Sequence, residues 1–276
     1  MTKNNLVCLI TGANQGLGFE TAKALLQTGG PYGSDDDDKK PYHILLGCRD
    51  YSKGEAAAAQ LKSLPQIKGT VSPLLLDVTS ANQVAEAAAY VEKEHGRLDV
   101  LVNNAGVMSQ APTVMERLRA TMETNVFGVV NVTEAFLPLL RKAGGQGGHD
   151  PRLIFVSSSM GSLTGAADPQ GRVYKAATGS SPMEYRTSKA ALNMLMVEYW
   201  KEYGTHEGGL LRVFSADPGP NATNLTGLGA EEVQRIIKEK GVPGPEVGAR
   251  QIVRCVLGER DGMEGKMHGV YGVSPW

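Results

Sequence analysis

The most constraining stretch lies near the start of the chain. A continuous apolar run, Leu6 to Ile10, passes without a break into Thr11-Gly12-Ala13-Asn14-Gln15-Gly16-Leu17-Gly18, and a helical pattern follows from Phe19 to Gln27. A strand with no polar alternation is buried on both faces, the habit of parallel sheets, whose two faces must be covered by helices. Strand, glycine-rich turn and helix form the front half of a βαβ unit. Glycines let the backbone approach a phosphate closely, and the helix N-terminus favours the anion. The spacing is G-x-x-x-G-x-G rather than G-x-G-x-x-G.

The rest of the chain keeps to the alternation this demands. Apolar runs predict further strands at His43–Cys48, Val71–Leu76, Leu98–Val102, Arg152–Val156 and Leu210–Ala216, with an edge strand from His268 to Val273. Helical patterns separate them at Ser52–Leu64, Ser80–His95 with Ser80 as N-cap, and Thr113–Arg141 as one long helix or two joined ones. Further helices are expected from about Met183 to Tyr203, and at Gly229–Lys240 and Pro245–Leu257. No linker interrupts the pattern. The prediction is an α/β fold, one Rossmann-type doubly wound parallel sheet spanning 1–276, with ligands at the carboxyl ends of the strands. Residues 29–41 interrupt the first αβ connection with four consecutive aspartates, Asp35 to Asp38, that cannot be buried unpaired. They predict a solvated surface insertion.

The unusual residues fall at that one edge. Arg49 follows the second strand, where an acidic residue would favour a free ribose 2′-hydroxyl and an arginine accommodates a 2′-phosphate. It points to NADPH over NADH. Asp77 and Val78 follow the third strand, Asn103-Asn104-Ala105-Gly106 the fourth, Ser157-Ser158-Ser159 the fifth and Pro218 to Thr223 the sixth. Tyr185 and Lys189 are four apart on a helix and share a face. A phenol with a free pKa near 10 is a poor acid or base at neutrality, and an ammonium beside it favours the phenolate. Alone, Y-x-x-x-K is indistinguishable from an amphipathic core helix; its company changes that.

Composition excludes several classes. With 276 residues, a net charge of −1 and 41% hydrophobic residues, the chain can fill one large core and offers no electrostatic case for nucleic acid or an anionic membrane. The apolar run near the N-terminus is too short for a signal peptide, and none is long enough to span a bilayer. Cys8, Cys48 and Cys255 are scattered, so buried free thiols are expected rather than a disulfide framework or a metal site. These features predict a soluble, cytoplasmic protein.

With T-G-x-x-x-G-x-G, N-N-A-G, a helical Asn125, a serine and Y-x-x-x-K in order, the whole chain resembles the short-chain dehydrogenase/reductase family. The run Leu98 to Val107 and Arg49-Asp50 look most like its NADPH-dependent carbonyl reductases. The resemblance implies an NADPH/NADP+ cofactor. Gly12, Asn14, Gln15, Gly16, Leu17 and Gly18 would surround its pyrophosphate, and Arg49 its 2′-phosphate. Asp77 and Val78 would flank the adenine, and Asn103, Ala105 and Gly106 would line the groove. Pro218, Gly219 and Thr223 would approach the carboxamide. It also implies a catalytic set: Ser158, three before Gly161, holding a carbonyl oxygen; Tyr185 donating the proton; Lys189 binding the nicotinamide ribose and lowering the Tyr185 pKa; Asn125 holding a water linked to Lys189.

Departures from the family pattern are Pro220 and Asn221, which replace bulkier residues. The stretch between Ser158 and Tyr185 is also about twice the usual length. Segments 162–182, including Tyr174, and 224–244 are expected to wall the substrate site. The longer stretch adjoins the helix that many relatives use for pairing, which leaves homo-oligomerisation open. Met108, Met160, Met183, Leu225 and Leu228 suggest a small, apolar carbonyl or alcohol substrate. A non-catalytic NADPH-binding sensor and a non-redox reaction on the same scaffold are the alternatives. The full set of Asn, Ser, Tyr and Lys counts against the first.

Overall fold

The computed structural model describes residues 5–28, 30, 40–144, 150–177, 183–205, 209–227 and 229–276. Most of the aspartate-rich insertion at 29–41 lies outside them, as do Leu228 and the end of the longer stretch before Tyr185. The described residues form an eight-stranded sheet in the order β3-β2-β1-β4-β5-β6-β7-β8. Its strands are β1 (Leu6–Thr11), β2 (Tyr42–Cys48), β3 (Thr70–Leu75), β4 (Val100–Asn103), β5 (Arg152–Val156), β6 (Arg212–Asp217), β7 (Met267–Gly269) and β8 (Gly272–Ser274). All neighbours are parallel except β7 and β8.

Alternation within β1 shows how the sheet is covered. Leu6, Cys8 and Ile10 face one apolar layer, and Val7 and Leu9 face the other. The first layer includes Leu25 and Leu26 of helix α1 (Gly16–Thr28), Ala57 and Leu61 of α2 (Tyr51–Lys62), and Ile252 and Cys255 of α10 (Pro245–Leu257). The second includes Val84 of α3 (Ala81–His95), Phe136 of α5 (Gly128–Gly144), and Leu192 and Met196 of α8 (Met183–Tyr203). Cys8, Cys48 and Cys255 are buried free thiols, as expected. Among the described residues no helix is long and apolar enough to cross a membrane.

Local chemistry sets the element ends. Asp50 caps α2 by accepting from the Lys53 amide, and Ser80 caps α3 by accepting from the Gln83 amide. Thr113 and Glu116 cap α4 (Val114–Met122) reciprocally, a capping box. The region from Thr113 onward is two joined helices, the second of the two expected forms. A π-helical turn, Glu123–Phe127, joins α4 to α5, and Asn125 lies within it.

The expected edge strand from His268 to Val273 is corrected to a hairpin: Val270 and Tyr271 turn the chain so that β8 runs back along β7. Of the stretch between Ser158 and Tyr185, the described part forms two short helices, α6 (Leu163–Ala167) and α7 (Arg172–Ala177). The last helix before α10 is α9 (Ala230–Lys240).

Asp99 anchors the end of the sheet away from the glycine turn. It is fully buried, accepts the Val7 amide at 2.7 Å and pairs with Arg97 Nε at 3.0 Å. Asp99→Asn keeps the volume and removes the charge that holds both donors. It is expected to lower unfolding free energy by about 1.5–3 kcal/mol, the scale of hydrogen bonds to charged groups. A urea denaturation midpoint checks this, and a loss of less than a few tenths would refute it.

Candidate active site

Thr11, the last residue of β1, organises the ligand edge. Its hydroxyl accepts the amides of Asn104 at 3.0 Å and Ala105 at 2.9 Å. Asn104 answers by donating its side-chain amide to the carbonyls of Thr11 at 2.7 Å and Gly12 at 3.2 Å. The loop after β4 is thereby stapled to the glycine turn after β1. Gly12 and Gly16 both have positive φ, 63° and 60°, which side chains rarely adopt. A Cβ on Gly12 would also meet the Ala105 Cα at 3.0 Å.

A cavity of about 560 Å³ opens above this staple. Of the predicted cofactor residues, its lining contains Gly12, Asn14, Gln15, Gly16, Leu17, Arg49, Asp77, Val78, Ala105, Gly106 and Thr223. Arg49 is exposed, and Met108 and Leu225 also line the cavity, joined by a hydrogen bond from the Met108 amide to the Leu225 carbonyl at 2.9 Å. The bare turn, the N-terminus of α1 and an arginine in the lining supply the chemistry a phosphorylated dinucleotide requires.

Other predicted residues sit outside the lining. Gly18 lies under the turn, where a Cβ would meet Asn104 Nδ2 at 2.6 Å. Asn103 points the wrong way for a groove residue: it is buried and donates to the Thr133 hydroxyl of α5 at 2.9 Å. Asn104, one residue on and so on the other face, has the place expected of it. Strand alternation from Val100 was the available signal. Pro218 and Gly219 lie past the end of β6, and the Asn221 side chain donates to both of their carbonyls at 2.9 Å.

The four predicted catalytic residues come together beyond Val107. Asn125 is fully buried, and its side chain accepts the Val107 amide at 2.8 Å, donates to the Val107 carbonyl at 2.9 Å and donates to the Ser188 hydroxyl at 3.0 Å. The Ser188 hydroxyl donates in turn to the Tyr185 carbonyl at 2.7 Å. One side chain therefore clamps the cavity rim to α8. The Glu184 carboxylate, paired with Arg117 of α4 at 2.8 Å, fixes the start of α8. Ser158 is held opposite by the turn Ser159–Gly161. A Cβ on Gly161 would meet the Lys189 carbonyl carbon at 2.5 Å and the Ala190 nitrogen at 2.6 Å, so this turn lies directly on the α8 backbone.

The Ser158 side chain lies close enough to the Tyr185 phenol to favour its ionised form. The expectation that Lys189 lowers the Tyr185 pKa is corrected. Burial of the phenol oxygen, and secondarily the Asp217 carboxylate, push the phenol above its usual range, and Ser158 offsets only part of this. The Lys189 ammonium lies 5.6 Å from the ring centroid and donates instead to the Val156 carbonyl at 2.8 Å. Burial brings Lys189 itself down to about 8, with Asp217 acting upward. Among the described residues no group of acidic, His or Cys side chains could hold a metal ion.

The family model for short chain dehydrogenases matches residues 6–233. A short-chain dehydrogenase/reductase of Phoma sp, eupG, is 38% identical over 269 residues, covering 92% of this chain and 91% of its own. Carbonyl reductase [NADPH] 1 of Bos taurus is 36% identical over 163 residues, 57% of this chain and 50% of its own. The NADPH-bound carbonyl reductase from chicken fatty liver superposes with a TM-score of 0.74 at 24% identity, covering 99% of each chain, a likeness of fold.

Gly161→Ala tests whether the turn under Ser158 needs that bare contact. The substitution should cut turnover at least ~10²-fold, the scale of a displacement of about 1 Å at a reacting group, while circular dichroism stays native. Full turnover in a folded variant would contradict it.

Proposed function

Because the chain belongs to the short-chain dehydrogenase/reductase family and so is an oxidoreductase of that class, we propose that it is an NADPH-dependent reductase of an apolar ketone or aldehyde, with Tyr185 as proton donor. The observation that carries this reading is the nearness of Ser158 to the Tyr185 phenol, with Lys189 one turn along α8, in a chain whose glycine-floored cavity has Arg49 in its lining. The naming of the bovine relative for NADPH supports the cofactor.

In this reading the Gly12–Gly16 turn and the N-terminus of α1 hold the pyrophosphate, Arg49 pairs with the 2′-phosphate, and Asp77 and Val78 flank the adenine. Ala105, Gly106 and Thr223 border the path to the nicotinamide, and Lys189 holds its ribose. When bound, the dinucleotide supplies a hydride for the carbonyl carbon. Ser158 donates to the carbonyl oxygen and orients it, and Tyr185 gives that oxygen its proton. Asn125 sets the distance between the cavity rim and α8, and next to the Lys189 chain it would hold a water. Met108, Met160, Met183 and Leu225 give the substrate an apolar surround.

Tyr185→Phe keeps the ring and removes the transferable proton. Turnover of an aryl ketone should fall at least ~10²-fold, the lower end of general acid–base contributions, while NADPH binding persists in a fluorescence titration. Near-normal reduction would return Tyr185 to an ordinary helix residue. Arg49→Ala should weaken NADPH binding by about 1.5–3 kcal/mol, the scale of a charge-assisted hydrogen bond, and leave NADH binding unchanged. Equal losses for both cofactors would sink the 2′-phosphate assignment.

A further inference from the structure

The turn between β7 and β8 stands at the same edge of the sheet as the groups described above. β7 runs parallel to β6 and pairs Gly269 with Asp217, so Val270 and Tyr271 leave the sheet where β6 gives way to Pro218 and Gly219. Each of the two meets a different neighbour. Val270 lies on the loop after β6: a Cβ on Gly219 would meet Val270 Cγ2 at 2.7 Å. Tyr271 lies under Arg172 of α7, whose guanidinium carbon is 3.8 Å from the centroid of the ring. An arginine on a tyrosine face is held by the ring quadrupole as well as by contact. Past β8, the Trp276 carbonyl accepts the Thr164 amide of α6 at 3.0 Å. The segment from Gly269 to Trp276 therefore touches both short helices of the stretch between Ser158 and Tyr185, and the loop after β6 as well.

α6 and α7 lean on each other, since a Cβ on Gly165 would meet the Val173 Cβ at 3.1 Å. A tie on α7 thus acts on the pair. The same Arg172 reaches the Ser159 hydroxyl at 3.5 Å, so the cation that rests on Tyr271 borders the turn after Ser158. That turn has anchors of its own. The Asp217 carboxylate, 2% exposed, accepts the Ser159 amide and the Gly219 amide, each at 3.0 Å. A Cβ on Gly269 would meet Asp217 Cβ at 3.0 Å, so β7 packs directly on this carboxylate. Arg186 of α8 donates to the Met160 carbonyl at 3.2 Å. Tyr271, by contrast, is 60% exposed, so its ring is a surface contact and no part of the core.

We propose that Tyr271 is a positioning residue for substrate binding: from a hairpin seated on the loop after β6 it straps α7 through Arg172, and so fixes the α6–α7 wall against the Ser158 turn. The proposal rests on the reductase reading above, in which that turn meets the ketone. Ties that hold the reacting groups do not pass through the strap. Gly161 lies on α8, Asp217 holds Ser159, and Asn125 holds Ser188. Loosening the wall removes contacts to the unreactive part of the substrate, which are equal in ground and transition states. Such a loss raises KM and leaves kcat in place. The tie depends on the ring face, so phenylalanine keeps it and alanine does not.

The test compares wild type with Tyr271→Ala, Tyr271→Phe and Arg172→Met. Acetophenone reduction by NADPH gives kcat and KM, and hydrogen exchange followed by mass spectrometry reads residues 163–175 without any catalysis. Tyr271→Ala and Arg172→Met should each raise KM about threefold to tenfold, the scale of one cation–π contact. They should also quicken exchange over 163–175, with kcat and NADPH affinity held within about twofold. Tyr271→Phe should match wild type in every readout. Unchanged KM and exchange in Tyr271→Ala would overturn the proposal, as would a Tyr271→Phe enzyme as impaired as Tyr271→Ala, or a loss confined to kcat. If Tyr271→Ala does not fold, Arg172→Met, on an exposed helical position, carries the same readouts. Quickened exchange in a protein that reduces no ketone would remove the reductase reading and leave the strap standing. Ketone reduction with unmoved exchange would do the reverse.

Discussion

The end of the structure that carries Ser158 and Tyr185 depends on a contact that leaves no room for a side chain. Gly161 lies on the backbone of α8 at Lys189 and Ala190, so the loop leaving β5 and the helix carrying Tyr185 are separated by bare main chain. Other ties work only at that distance. The Ser157 hydroxyl reaches the Asn193 side chain of α8, and the Lys189 ammonium reaches back to the Val156 carbonyl. Ser158 can then meet the phenol of Tyr185. A methyl group at position 161 would act on all of these together, because packed interiors transmit displacement rather than absorb it.

Hydrogen bonds between loops do the same work along the row of strand ends. Thr11 and Asn104 close the gap between β1 and β4, Asn125 closes the gap between the cavity rim and α8, and Asp217 closes the gap between β5 and β6. Thr11, Asn125 and Asp217 are buried, Asn104 is half-buried, and each has backbone partners; a buried polar group left unpaired is expensive. Each loop is therefore held by the cost of letting go as well as by the bond formed. Strand ends in a parallel sheet supply such groups in a row, which is why the site collects there.

The fold was legible because periodicity is a local signal. The run Leu6–Ile10, the Ser80 cap and the pattern from Met183 to Tyr203 each found their element. What escaped is what depends on partners distant in sequence. Asn103 and Asn104 are chemically identical, and only the pleat decides which one faces α5 and which the glycine turn. The π turn at Asn125 needs α8 beside it, since its side chain is satisfied by Val107 and Ser188. The β7–β8 hairpin hides in a short run whose turn residues, Val270 and Tyr271, carry no strong turn preference. Asp217 reads as an ordinary residue before Pro-Gly until β5 and β7 are packed against it.

Spacing alone also misjudged the balance at Tyr185. A lysine four residues along a helix suggests an acidified phenol, but an ammonium acts only across the distance and dielectric the fold provides. Here it is spent on the Val156 carbonyl, and burial, which penalises the phenolate and the ammonium alike, outweighs the pairing. A phenolate would be the form required to take a proton from an alcohol, and a neutral phenol is the form required to give one to a carbonyl. The same desolvation that draws Lys189 down holds Tyr185 protonated. Asp217 acts with burial at Tyr185 and against it at Lys189.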